Sequence, residues 1–150
     1  MIHIQKMDAG DLDAVSEIEK TCFSMPWSRD GFADTIAMKE AIFLVAKNEE
    51  TVVGYVGMYT AADEGEITNV AVAPSFRRQN VAKKLMEALQ AQAIDLEIAR
   101  IFLEVRPSND AAIRLYETCG YKKLGIRRNF YQKPKEDALI YCKVLEQPEA

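Results

Sequence analysis

Three groups of residues in this chain have the types and spacing to do chemistry. The first is the run Arg77, Arg78, Gln79, Asn80, Val81, Ala82 and Lys83, which opens a helical pattern after a polar turn. A helix N-terminus presents unpaired backbone N–H groups and a partial positive charge, and adjacent arginines strengthen its hold on a phosphate. Such a turn needs side chains that stay out of the way of the main chain. Glycine is the usual choice at positions 80 and 82, where this chain carries Asn80 and Ala82. Asn is the non-glycine residue that best tolerates left-handed backbone, and Ala is the smallest side chain after glycine. The run also reads as an ordinary solvated helix start. The second group is Glu104, set inside the apolar run Ile101 to Val105. Burial raises a carboxylate pKa towards neutrality, which suits a general base. The competing reading is an ion pair with Arg106, two residues on along the same side of a strand. The third group is Tyr116 with Asn109. Tyr116 is either a core aromatic or a proton donor to a leaving group. Asn109 is either a helix cap or an amide that binds a ligand carbonyl.

The elements that must position these residues follow from periodicity. Ile2 and Ile4 alternate with polar neighbours, as in a half-buried strand. Asp8 or Asp11 can cap a helix carrying Leu12, Val15, Ile18 and Cys22, and the break FSMPWS ends it at Pro26. Ser28 can cap a second helix with Phe32 and Ile36. Trp27 in the break reads as an anchor onto the core or as one wall of a substrate groove. Phe43 to Ala46 and Thr51 to Tyr59 should pair as a hairpin across Asn48-Glu49-Glu50, with Gly54 and Gly57 marking close backbone approach or a bulge. A turn over Ala61 to Gly65 leads to a strand over Glu66 to Ala73, stopped by Pro74. Val81, Leu85, Leu89, Ala93 and Leu96 form one face of a long amphipathic helix. Ile101 to Val105 is a buried strand, and Ala112, Leu115, Tyr116 and Cys119 make a short helix ending at a C′ glycine, Gly120. Tyr121 to Ile126 reads as a strand, Arg127 to Lys135 as a polar-aromatic loop, and Ala138 to Leu145 as a last strand. The tail Glu146 to Ala150 should fray. The order β-α-α-β-β-β-α-β-α-β-β predicts a mixed sheet with helices on both faces in one domain spanning residues 1–150.

Composition narrows the function classes. A net charge of −4 argues against a surface that coats nucleic acid. Cys22, Cys119 and Cys142 show neither CxxC spacing nor the density of a disulfide framework, and His3 is the only histidine. A zinc centre and a histidine-based nucleophile are therefore not expected. No apolar run reaches the length of a membrane span, and a cytoplasmic protein is expected.

Taken together, NVAVAPSFRRQNVAKKLM, FSMPWS, LEVRPSNDAAIRLYETCGY and IRRNFY resemble the GNAT family of acetyl-CoA-dependent N-acetyltransferases. The first stretch is similar to the family's strand, R/Q-x-x-G-x-G/A turn and helix; Asn80 departs from its first glycine and Ala82 is an allowed second. The other three look like signatures of its RimI subfamily, the bacterial ribosomal-protein N-terminal alanine acetyltransferases. The resemblance spans essentially the whole chain. It implies an α/β GNAT fold, with a mostly antiparallel twisted sheet of roughly seven strands. It implies acetyl-CoA as co-substrate and no metal. Val70, Ala71 and Val72 would meet the acetyl and pantetheine arm, Arg77, Arg78, Gln79, Asn80, Val81, Ala82 and Lys83 the pyrophosphate, and Asn109 and Tyr116 the CoA arm. Glu104 would accept a proton and Tyr116 donate one. Trp27, Glu66 and Tyr131 would border the acceptor groove, with Asp137 a further candidate. The acceptor implied is the N-terminal alanine of a ribosomal protein, with no nucleic acid and no membrane as direct partner. The alternatives are transfer to a small-molecule amine or a lysine side chain, and a non-catalytic CoA-binding module.

Overall fold

Alternation of apolar and polar residues builds a seven-stranded sheet, ordered β1-β2-β3-β4-β5-β7-β6. The structure is a computed structural model that describes residues 1–145. The tail expected to fray, Glu146 to Ala150, lies outside the described residues. The strands are β1 (Ile2–Lys6), β2 (Ala41–Asn48), β3 (Thr51–Ala61), β4 (Glu64–Val72), β5 (Arg100–Val105), β6 (Lys122–Gln132) and β7 (Lys135–Val144). Only the β4–β5 pairing is parallel. The helices are α1 (Leu12–Cys22), α2 (Arg29–Ile36), α3 (Val81–Asp95) and α4 (Asp110–Thr118).

Successive residues of one strand feed opposite layers, as the pleat requires. Leu44, Val56 and Met58 join Leu85, Leu89 and Ala93 of α3 in one core cluster, together with Tyr116 of α4. Phe43, Val45 and Tyr55 join Leu12, Val15 and Ile18 of α1 and Phe32 of α2 in the other. Leu85 and Leu89 are essentially fully buried, and such a side chain contributes roughly 1.5–3 kcal/mol. Gly54 lets α3 approach β3: a Cβ there would lie 2.9 Å from the Ala71 carbonyl oxygen and 3.3 Å from Leu85 and Val81. Gly57 lies under the Phe43 ring and beside a register shift.

Local chemistry explains the ends. Asp8 and Asp11 form a capping box around a short 3-10 turn that leads into α1, and Ser28 caps α2 by accepting from the Gly31 N–H at 3.0 Å. Asn109 caps α4, accepting from the Ala112 N–H at 3.2 Å, and Gly120 follows at φ +93°.

The structure corrects several expected boundaries. The turn before β4 shrinks to residues 62 and 63, because Ala62 adopts positive φ and lets the β3–β4 hairpin close tightly. Leu96 is not on the buried face of α3; it caps the helix end and is largely exposed. The largest correction is Arg127 to Lys135, expected as a loop. Residues up to Gln132 extend β6, and β7 starts at Lys135. As the outer strand β6 is exposed on both faces, so it carries no apolar alternation for a sequence pattern to show.

Candidate functional site

The site begins where two neighbouring strands part. The parallel register of β4 and β5 runs from Glu64↔Arg100 only to Ile67↔Leu103. Beyond it β4 stays paired to β3 as far as Val72, and β5 to β7 as far as Val105. The facing edges therefore splay apart, and a bulge promotes this. Gly57 opposes Asn69 while Met58 opposes Ile67, which leaves Thr68 as the extra residue in β4. A cavity of about 1270 Å³ fills the opening.

One wall is the edge of β4 and the turn that follows it. Val70, Ala71 and Val72 line the cavity. Past Pro74 the chain turns through Arg78 at φ 65° and Asn80 at φ 61°, both left-handed, and enters α3. The Asn80 side chain makes no capping bond, so the first N–H groups of α3 have no side-chain partner from it. Arg78, Asn80, Val81, Ala82 and Lys83 line the cavity, whereas Gln79 does not. Arg77 lines it too, but its guanidinium is engaged: Nε donates to the Val72 carbonyl at 3.3 Å and Nη2 to Cys22 Sγ at 3.3 Å.

The opposite wall is side chain. Glu104 on β5 is largely buried, with 14% side-chain exposure. Its partner is Arg127 of β6, Nη1 to Oε1 at 3.1 Å, and not the expected Arg106. Arg106 lies beyond the end of β5 and turns elsewhere. It donates to the carbonyls of Pro134 and Lys133, pairs with Glu136, and stacks over the Tyr131 ring at 4.2 Å. The second oxygen of Glu104 is buried with no hydrogen-bond partner among the described residues. Burial pushes the Glu104 carboxyl above the ordinary range, Arg127 opposes the shift, and Glu66 adds to it. That is the profile of a carboxylate poised to take a proton.

Tyr116 of α4 and Tyr131 of β6 complete this wall. Tyr116 packs in the core at 5% exposure with its ring 6.2 Å from Tyr121, and it also borders the cavity. No described residue hydrogen-bonds its hydroxyl, and burial raises its pKa, which keeps the phenol protonated. Tyr131, half-buried, is pushed up to about 12, first by burial and then by Glu104. Asn109 lines the cavity while serving as a cap.

Of the expected acceptor residues, Trp27 and Tyr131 border the cavity and Glu66 does not. Glu66 is exposed, close enough to Glu104 to bias its charge. Trp27 is both wall and anchor, its ring 5.2 Å from Phe32 and 6.0 Å from Phe43. Asp137 accepts from the Asn129 N–H at 2.8 Å, within the stretch from Arg127 to Tyr131 where the β6–β7 register shifts. Across the top, the Ser24 hydroxyl donates to the Lys133 carbonyl, so the α1–α2 loop meets the β6–β7 turn.

Sequence reasoning missed two participants. Glu19 was legible as a carboxylate on the buried face of α1, beside Val15, Ile18 and Cys22, and it borders the cavity. Arg127 as the partner of Glu104 was not legible, because the pairing depends on the β6–β7–β5 order. Among the described residues no group of three or more His, Cys, Asp or Glu could hold a metal ion, and no helix is long and apolar enough to cross a membrane.

Known proteins resemble this chain in sequence and fold. Residues 12–121 match the pattern of the acetyltransferase (GNAT) family. A putative [ribosomal protein bS18]-alanine N-acetyltransferase of Bacillus subtilis is 35% identical, over 91% of this chain and 91% of that protein. The [ribosomal protein bS18]-alanine N-acetyltransferase of Escherichia coli K12 is 34% identical, over 91% of this chain and 93% of that one. The crystal structure of the ribosomal-protein-S18-alanine N-acetyltransferase from Escherichia coli superposes with a TM-score of 0.90 at 30% identity, covering 99% of this chain and 97% of its own. A splayed β4–β5 cleft, a left-handed turn into α3 and this breadth of likeness make the chain a member of the GNAT acetyltransferase family.

Proposed function

We propose that the protein transfers the acetyl group of acetyl-CoA to the N-terminal amine of a ribosomal protein that begins with alanine. The observation that carries this reading is one cavity bordered by two unlike walls. An anion-suited turn and helix N-terminus lie on one side, and a carboxylate with an unpartnered oxygen lies on the other. Relatives named for this reaction, at 34–35% identity, support the choice of acceptor.

The donor fits the residues present. Arg78 and Asn80 both adopt left-handed backbone in the turn that borders the cavity. Arg78, Lys83 and the free N–H groups of α3 complement a pyrophosphate. Val70, Ala71 and Val72 offer strand edge to the pantetheine arm, and Asn109 an amide. The pantetheine thioester then lies in the splay between β4 and β5.

The acceptor amine has a pKa of about 8 and must be neutral to attack. Glu104 takes its proton, directly or through a water. The nitrogen bonds to the acetyl carbonyl carbon, and main-chain N–H groups near the β4 bulge stabilise the oxyanion. The C–S bond then breaks and Tyr116 delivers its proton to the departing thiolate, while the second proton, shed by the nitrogen as it becomes an amide, returns through solvent to the Tyr116 oxygen. The products are the acetylated peptide and free CoA. A ribosomal acceptor places the protein in the cytoplasm.

The test is to incubate the protein with acetyl-CoA and an alanine-initiated peptide, following thiol release and locating the acetyl group by mass spectrometry. Acetylation of the α-nitrogen is expected. Modification confined to lysine side chains or free small amines would refute the acceptor assignment. CoA binding without transfer to any acceptor would refute the enzymatic one.

A further inference from the structure

Glu19 is a charged residue at 2% exposure, and no cation pairs with it among the described residues. A carboxylate so placed persists only where donors surround it. Four bonds do so here. Oε1 accepts from the Tyr55 hydroxyl, Oε2 accepts from the Trp27 backbone N–H at 2.8 Å, and Asn69 Nδ2 bridges both oxygens at 3.3 and 3.4 Å. Both oxygens are thus committed, unlike those of Glu104, and Glu19 has no lone pair to spare for a reacting amine.

The partners lie on different parts of the cleft. Trp27 ends the loop Phe23–Trp27, whose Phe23, Ser24 and Met25 border the cavity on the acceptor side. Asn69 directly follows the extra residue of the β4 bulge, on the wall that would hold the acetyl group. The Asn69 Oδ1 atom is buried with no partner among the described residues, so Glu19 is what orients that amide. A second link runs parallel: Arg77 joins Cys22, the root of the same loop, to the Val72 carbonyl.

We propose that Glu19 is a positioning residue that ties the acceptor loop to the bulge of β4 and fixes the distance between the incoming amine and the acetyl carbonyl. Its kinetic consequence rests on the transfer reaction proposed above. The tie itself does not, because Trp27 is the only tryptophan and its fluorescence reports on the loop directly.

The experiment compares the full-length chain with Glu19→Gln and Asn69→Ala. Kinetics use acetyl-CoA and an alanine-initiated peptide, and acrylamide quenching follows Trp27. Glu19→Gln keeps the shape but turns an amide donor on Trp27 or on Asn69. The expected result is stronger quenching and a peptide KM raised about tenfold, the scale of one charge-assisted hydrogen bond. The acetyl-CoA KM should stay within about twofold, because Arg78 and Lys83, which would hold the pyrophosphate, are not among the partners of Glu19. A merely structural role would lower the active fraction, so kcat would fall with both KM values and the quenching unchanged; that result overturns the proposal. Asn69→Ala cuts only the strand end and decides the matter if Glu19→Gln fails to fold. It should keep wild-type quenching and lose kcat, whereas wild-type kcat would overturn the proposal. Wild-type protein inert towards every N-terminal peptide would refute the transfer reading, and the quenching of Glu19→Gln would still decide the tie.

Discussion

The two walls of the cleft are built from different materials. On the β4 side the cavity is bordered by the strand edge from Val70 to Val72, a turn with two left-handed residues and the N-terminus of α3, with the Arg78 and Lys83 side chains beside a wall that is chiefly a backbone shape. On the β5 side they are side chains, Glu104, Tyr116 and Tyr131, each brought in by a different element. A backbone wall needs only a conformation and tolerates many sequences. A side-chain wall needs particular atoms at particular places. Substitutions should therefore cost most on the β5 side and least on the β4 side.

Glu104→Gln should be the most severe change. Removing a general base costs about 10²–10⁴-fold. The deficit in kcat/KM should be greatest at pH values between the raised Glu104 pKa and the amine pKa of about 8, and shrink above it, where the amine is already neutral. A pH–rate profile measures this, and an equal deficit at every pH would contradict the base assignment. Tyr116→Phe comes next, with kcat lowered about 10²-fold and CoA affinity retained. Calorimetric titration with CoA separates the two. If the variant unfolds instead, the core contact with Tyr121 outweighs any role for the hydroxyl.

Arg127→Ala should act through pH alone. Arg127 lowers the Glu104 pKa, so its removal raises that pKa further. A base must be deprotonated to work, so the acidic limb of kcat/KM should move to higher pH while the plateau holds. Arg127 is 55% exposed, and solvent screens the pair, which keeps the displacement small. Movement of the limb to lower pH would mean that a different group titrates.

The same division decides what the sequence disclosed. Glu104 and Tyr116 stood out because a carboxylate in an apolar strand and a tyrosine on a short helix are visible as residue types. The order of elements was legible from caps and periodicity, Ser28 and Gly120 included. The β4 bulge was not. It depends on Thr68 having no partner in β3, which no spacing shows, and glycines at positions 54 and 57 only hinted at it. The extent of β6 was invisible for a related reason: unlike β1 at the other edge, β6 buries neither face and leaves no pattern. Glu19 could have been found, since a charge on the buried face of α1 demands partners, but their identity waits on the fold.

The mildest expected change tests the backbone wall at its tightest point. Asn80 lies at φ 61° and ψ 20°, where the family's pattern carries glycine. Asparagine enters this region readily, so little strain remains for Asn80→Gly to relieve. Glycine also gives the unfolded chain more freedom, which offsets that relief, and the thermal midpoint should barely move. What changes is access: without the side chain a phosphate can come closer to the N–H groups of α3. CoA should bind tighter by a few-fold, roughly 0.5–1 kcal/mol, with kcat unchanged. Titration calorimetry measures the difference. Weaker binding would show that the Asn80 amide itself contacts the ligand, and this wall would then rely on a side chain at its tightest point as well as on Arg78 and Lys83.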